Sequence, residues 1–140
     1  MENTQNLSNE FDIRKEKINT LEKNGEIVYK EKFERTNTIK EARTLGDGAK
    51  VKIAGRIVFR RVMGKFGFMQ IRDLEAKIQV SVGVNELDTE AYDFYKKMID
   101  IGDFVGVDGE LYTTQTGEIT VRAYKVTLLS KALRPLPEKF

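Results

Sequence analysis

From Val51 to Val82 the chain alternates apolar and polar residues with a period close to two, and the rest of the sequence is organised around this stretch. It predicts three consecutive β-strands. In the first, Lys50 to about Val62, the residues Val51, Ile53, Ile57 and Phe59 recur at even spacing, as one buried face requires. Gly55 interrupts that strand and predicts a bulge or a sharp coil. Lys65-Phe66-Gly67 predicts the following turn. Phe68, Gln70 and Arg72 then face one way on the second strand, and Met69 and Ile71 the other. Ile78 and Val80 continue the apolar face on the third strand, with Gln79 and Ser81 opposite. One face of this sheet is therefore aliphatic, while the other carries Arg61, Phe68 and Gln79 or their neighbours. A face that offers a ring, a guanidinium and an amide suits a single unstacked nucleobase: the ring stacks and the polar groups read the base edge.

The remaining pattern supplies the surroundings. Ser8 or Asn9 can cap a helix from about Glu10 to Asn24, with Gly25 as its stop, an apolar stripe of Phe11, Ile18 and Leu21, and a basic flank of Arg14, Lys15, Lys17 and Lys23. Ile27 to Arg35 predicts an extended linker. Thr38-Ile-Lys-Glu41 has the spacing of a capping box and opens a short helix ending near Gly46. After the third strand, Asn85 to Met98 predicts a helix capped by Asp88 or Thr89, with Ala91, Phe94, Tyr95 and Met98 at core spacing. Two more strands follow, Phe104 to Tyr112 and Glu118 to Leu129, joined by the polar turn Thr113–Gly117. Three strands, a helix and two strands is the order of an OB-fold, a five-stranded Greek-key barrel, here preceded by N-terminal helices. Such barrels bind oligonucleotides on the face of strands two and three and with the loops after strands one and four, where Arg61, Lys65, Phe68, Gln79 and the Thr113–Glu118 turn lie.

Composition narrows the chemistry. The chain has 140 residues, 40% hydrophobic and 33% charged, with no apolar run near the roughly 18 residues of a membrane span. The N-terminus is polar and mixed in charge, which argues against a secretory signal. The absence of cysteine and histidine removes disulfides, thiol chemistry, the usual zinc ligands and histidine bases, so neither catalytic nor metal-ligating residues are assigned. With a net charge of only +2, affinity for nucleic acid must come from localised cations. Lys52, Arg56, Arg60, Arg61, Lys65 and Arg72 supply them before any balancing cluster of acids.

The segments AGRIVFRRVMGKFGF, DLEAKIQV, GDFVGVDGELYTTQTGE and LLSKALRPLPEKF resemble the N-terminal anticodon-binding domain of bacterial lysyl-tRNA synthetases, class II aminoacyl-tRNA synthetases, over essentially the whole chain. The arginine, aromatic and glutamine pattern is shared with aspartyl and asparaginyl relatives, whereas SKALRPLPEKF with RRVMGK is the more specific signal. The resemblance implies that the middle anticodon base, a uridine, stacks on Phe68 and is read by Arg61 and Gln79, and that Glu118, following Gly117, helps read a neighbouring base. Pattern alone leaves Phe68 divided between barrel core and base stacking. Alternation forbids Arg60 and Arg61 from sharing a face; Arg61 is assigned to the base and Arg60 to a phosphate or a structural salt bridge. Lys65 and Thr116 are candidate phosphate or loop contacts, although the threonines of that turn also suit strand and turn alone.

In the family a glycine often stands in the turn where this chain has Leu74-Glu75-Ala76. A catalytic domain follows PLPEKF in the family, while this chain ends at Phe140, so a piece of a longer enzyme is expected. The expected division is a helical leader over 1–48, the OB domain over 49–130 and a connector over 131–140. The domain needs no cofactor; ATP and Mg belong to the full-length enzyme. The partners implied are the anticodon stem-loop of a lysine tRNA and, for the full-length cytoplasmic enzyme, a second copy of itself. The anticodon domain of an aspartyl or asparaginyl relative, a sequence-tolerant single-strand binder and a protein-interaction module are the alternatives.

Overall fold

The computed structural model of the protein describes residues 18–23, 26–29 and 32–133. Seven strands and three short helices follow one another there: β1 (Ile18–Lys23), β2 (Glu26–Tyr29), α1 (Ile39–Ala42), β3 (Lys50–Met63), β4 (Phe66–Arg72), β5 (Lys77–Gly83), α2 (Val84–Leu87), α3 (Thr89–Met98), β6 (Phe104–Thr113) and β7 (Ile119–Ala132). Strands β3 to β7 close into a five-stranded barrel in the order β7-β5-β4-β3-β6, with β6 pairing back onto β7. Every contact in the ring is antiparallel except β5 with β7, which is parallel. This is the OB-fold that the strand order predicts, with α2 and α3 between the third and fourth barrel strands.

The barrel core is aliphatic: Ile53, Ile57, Met69, Ile71, Ile78, Val80, Val107 and Val121 are buried from the inner faces of successive strands. The inward set on β3 does not continue to Phe59. Ile57 pairs with Ile71 and Phe59 with Gln70, so Val58 is an extra residue in β3 and the alternation reverses there. Phe59 thus lies on the opposite face from Ile57, against the expectation that it belongs to the buried set. The freed backbone of Ile57 is paired instead by the β6 approach, its N–H with the Asp103 carbonyl at 2.9 Å and its carbonyl with the Gly102 N–H at 2.9 Å. The break therefore sits after Ile57 rather than at Gly55. Gly55 serves a close approach, since a Cβ there would lie 2.8 Å from the Arg72 carbonyl oxygen.

The turn after β3 also lies earlier than expected. Met63 pairs with Phe66, so Gly64 and Lys65 form a two-residue hairpin loop. Only Gly64 has positive φ, +67°, the pattern of a II′ turn that matches strand twist. The β4–β5 turn manages without glycine. Asp73 Oδ1 accepts the N–H groups of Glu75 and Ala76, both at 3.0 Å, and Oδ2 accepts the Ile39 N–H at 3.0 Å. Burial acts to raise the Asp73 carboxyl, but those three donors and the charge of Arg35 outweigh it and hold the group below its ordinary range.

Helix α3 plugs one end of the barrel with Tyr92, Phe94 and Tyr95, while Ala91 is exposed. The single helix expected over 85–98 is split because Asp88 adopts φ +78° and caps α3 by accepting the Ala91 N–H at 2.9 Å. Thr38 and Glu41 form the predicted capping box, although α1 ends at Ala42, short of Gly46.

Ahead of the barrel, the helix expected from about Glu10 to Asn24 is contradicted over Ile18–Lys23, which pairs as a strand with Glu26–Tyr29; its other positions lie outside the described residues. The expected linker begins as strand β2. Barrel strand β7 runs on to Ala132 and would otherwise leave a row of unpaired backbone groups, which β2 takes up through Glu26–Ala132 and Val28–Ser130. The end of β7 is also tied by Asp103, a wholly buried carboxylate that accepts the Ala132 N–H at 2.9 Å and pairs with Lys131 at 2.7 Å. No helix among the described residues is long and apolar enough to cross a membrane.

Candidate nucleic-acid interface

The reversal after Ile57 decides what the outer face of the β3–β4–β5 sheet displays. Had the odd positions continued inward, Arg61 would enter the barrel; the extra residue turns Phe59, Arg61 and Met63 outward instead. Residues directly opposite on antiparallel strands share a face, with Cβ atoms about 5 Å apart. The register therefore builds three rows across the sheet: Phe59, Gln70 and Gln79; Arg61, Phe68 and Ser81; Met63, Phe66 and Gly83. Arg61 and Phe68 are direct partners, and Gln79 is diagonal to Phe68. Phe68 is half-buried and points away from the core that holds Met69 and Ile71. Three of the predicted residues thus meet on one open face.

Glu118 joins them through a residue that pattern reading did not single out. Gln79 pairs with Thr120 of β7, whose side chain is wholly buried. Thr120 Oγ1 donates to the Glu118 carbonyl at 3.0 Å and lies 3.1 Å from Gln79 Nε2. A hydroxyl has one proton, and Thr120 gives it to the carbonyl, so it accepts from Gln79. That fixes the amide with nitrogen toward Thr120 and leaves Oε1 to accept from a ligand. Glu118 itself is exposed just before β7, its N–H bonded to the Thr114 hydroxyl and its carbonyl to the Thr114 N–H, both at 3.0 Å. A buried threonine in an alternating strand looks like ordinary strand composition, so its position in the chain carried no signal.

Lys65 is exposed at the hairpin tip beside this face, and Thr116 is exposed in the β6–β7 turn, where its hydroxyl lies 3.2 Å from that of Thr114. Arg60 is elsewhere. It pairs with inward-facing Met69, its guanidinium covers the Tyr95 ring at 4.5 Å, and it donates to the carbonyls of Tyr95 and Lys96, the latter at 3.1 Å. Those carbonyls end α3, where a cation is favoured. Arg60 is therefore engaged structurally, with helix-end carbonyls in place of the expected carboxylate or phosphate. Burial pushes the Tyr95 phenol up to about 12, against the opposing pull of the Arg60 charge.

Phe59 at 45% and Phe66 at 40% exposure are rings on the same face that the misplaced bulge and turn concealed. Arg122, paired with Ser81, extends the face toward β6 with its guanidinium 4.1 Å from the Tyr112 ring centroid. A groove of about 540 Å³ lined by Phe33, Arg56, Leu74 and Phe104 lies beyond the Phe59–Gln70 row, at the Arg56–Arg72 end of β3 and β4. It is concave and apolar, whereas splayed bases are read on open sheet surfaces, so groove volume does not mark this site.

Comparison with known proteins agrees with the closed barrel topology. Residues 51–129, more than half the chain, match the tRNA-anticodon family, described as an OB-fold nucleic acid binding domain. The chain is similar to a lysine–tRNA ligase of Carboxydothermus hydrogenoformans, 46% identical over 140 residues, which take in 97% of this chain and 28% of the relative. A lysine–tRNA ligase of Edwardsiella ictaluri is 38% identical over 96% of the chain and 28% of its own length, and one of Lactococcus lactis is 39% identical over 100% and 30%. The chain spans less than a third of the length of these relatives. On its closed five-stranded topology and this match, the chain belongs to the tRNA-anticodon family of OB-fold nucleic acid binding domains.

Proposed function

We propose that this chain is the anticodon-recognition domain of a lysine–tRNA ligase and that the outer face of β3–β4–β5 holds the middle base of a lysine tRNA anticodon. The observation that carries the reading is the placement of Arg61 directly opposite Phe68, with Gln79 diagonal and its amide held by Thr120. A uridine edge presents two carbonyl acceptors and one N–H donor. Arg61 supplies donors to a carbonyl, and the Gln79 Oε1 accepts the N–H. Phe68 stacks beneath the base, which is worth about 1–3 kcal/mol. The Glu118 carboxylate reads a neighbouring base, Lys65 steadies the backbone at the β3–β4 hairpin, and Thr116 contacts the loop at the Glu118 end of the face.

The reading assigns residues 1–48 to a leader, 49–130 to the recognition domain and 131–140 to a connector. Activation of lysine with ATP and Mg²⁺ belongs to the part of a longer protein beyond this chain, a cytoplasmic homodimer on the same reading. The relatives' identity as lysine–tRNA ligases and their greater length support this division of labour.

The test is binding of anticodon stem-loops by the full chain. Phe68→Ala weakens binding by roughly tenfold to a hundredfold, and Arg61→Ala lowers the preference for uridine over cytidine at the middle position. An unchanged dissociation constant for Phe68→Ala, or equal binding of the two loops by the unsubstituted chain, refutes the reading.

A further inference from the structure

The third row of the recognition face is apolar and has no assigned role. Met63 and Phe66 are direct partners across β3 and β4 and are 49% and 40% exposed, far more than core residues. The row ends at Gly83, which has no side chain; a Cβ there would come within 3.2 Å of Phe66 Cδ1. The Phe66 ring thus occupies space that any larger residue at 83 would contest. The hairpin bearing it is held from behind, since Tyr92 donates its hydroxyl to the Gly64 carbonyl at 2.8 Å and the Val84 N–H bonds the Lys65 carbonyl at 3.0 Å. The platform is therefore preorganised. Phe66 also meets Phe68 edge to face, with centroids 5.0 Å apart and planes at 86°.

We propose that Phe66, flanked by Met63, is a second nucleobase platform that takes the anticodon base adjacent to the one on Phe68, on the side away from Glu118. The inference rests on the reading of Phe68 given above. The two ring planes stand at 86° to one another, so bases lying on both rings are unstacked from each other. Whichever ring presents its edge, each retains a face outside their contact, and the near-right angle between the rings turns the two bases apart. Glu118 lies beyond Gln79, at the opposite end of the rows, so three successive bases run past Glu118, Phe68 and Phe66. The residues of the third row have no hydrogen-bonding side chain, and the nearest one, Glu86, sets its Oε1 2.9 Å from where a Gly83 Cβ would stand. The row's occupant is held chiefly by stacking, which discriminates little between bases.

The experiment measures binding of the full chain, unsubstituted and with Phe66→Ala or Phe66→Leu, to stem-loops that are intact, abasic at the middle anticodon position or abasic at one flank. Leucine preserves apolar packing against Phe68 and serves if the alanine variant does not fold. The expected result is a loss of about tenfold on either substitution with the intact loop. That loss persists with the middle-abasic loop and disappears with the loop abasic at one flank, while exchanging the base at that flank changes binding less than about threefold. Unaltered binding by the Phe66 variants overturns the proposal. So does a loss that vanishes with the middle-abasic loop, because Phe66 would then only support Phe68. If Phe68→Ala binds normally while the Phe66 pattern holds, the middle-base reading fails and the second platform stands.

Discussion

Replacing Thr120 by valine isolates the orientation of one amide. The substitution deletes two hydrogen bonds, from Gln79 Nε2 at 3.1 Å and to the Glu118 carbonyl at 3.0 Å. The Glu118 carbonyl keeps a second donor in the Thr114 N–H, and half-buried Gln79 can turn to water. Each lost bond then costs about 1 kcal/mol or less, and the added buried methyl returns about 0.8 kcal/mol, so the variant folds with a stability loss of about 1 kcal/mol. The effect on recognition is larger. In the native chain, flipping the Gln79 amide would set its oxygen against the Thr120 hydroxyl oxygen, whose proton is already committed. With valine both orientations become accessible, and the flipped amide offers an N–H that suits the cytidine ring acceptor. A contact worth about 1–1.5 kcal/mol stops discriminating, and the uridine-to-cytidine preference falls roughly threefold to tenfold. Competition binding with stem-loops differing only at the middle base reads this ratio, and Thr120→Ser, which keeps the hydroxyl, retains it. Retention of the native ratio by Thr120→Val, while Gln79→Ala loses it, refutes the relay.

Arg60→Gln lowers stability by about 2 kcal/mol through loss of the Tyr95 stacking and the helix-end bonds, and leaves the salt dependence of RNA binding unchanged in a titration against salt. Lys65→Gln behaves oppositely, reducing the log–log salt slope by about 0.7 with little change in melting temperature. Asp103→Ala strips acceptors from the N–H groups of Asp100 and Ala132 and costs about 3 kcal/mol in urea unfolding at neutral pH, although Lys131 retains Asp100 at 3.3 Å. The Asp73 carboxyl is held below its ordinary value of 3.8, so its contribution is complete above that pH and is lost as pH falls below it. The stability gap between the native chain and Asp73→Asn, followed by urea unfolding from about pH 6 to about pH 2.5, accordingly narrows only at the acid end.

The alternation of Met69, Ile71, Ile78 and Val80 against Phe68, Gln70 and Gln79 was readable because a period of two needs only neighbouring residues to express it. The same holds for the capping box at Thr38–Glu41, which is closed within one helical turn. With the strand order, these local signals determined the barrel and brought Phe68 and Gln79 to one surface. The tertiary structure decided what depends on partners distant in sequence. The reversal after Ile57 exists because Gly102 and Asp103 take up its backbone groups, and it alone turns Arg61 and Phe59 outward. The Thr120 relay needs β5 and β7 to lie in parallel, 41 residues apart in the chain at Gln79 and Thr120. Arg60 is engaged by the Tyr95 ring and the end of α3, and Ile18–Lys23 is made a strand by the chain it meets through β2. Hydrogen bonds and ring contacts between remote segments outweigh local preference at these places, and local preference is all that a pattern along the chain records.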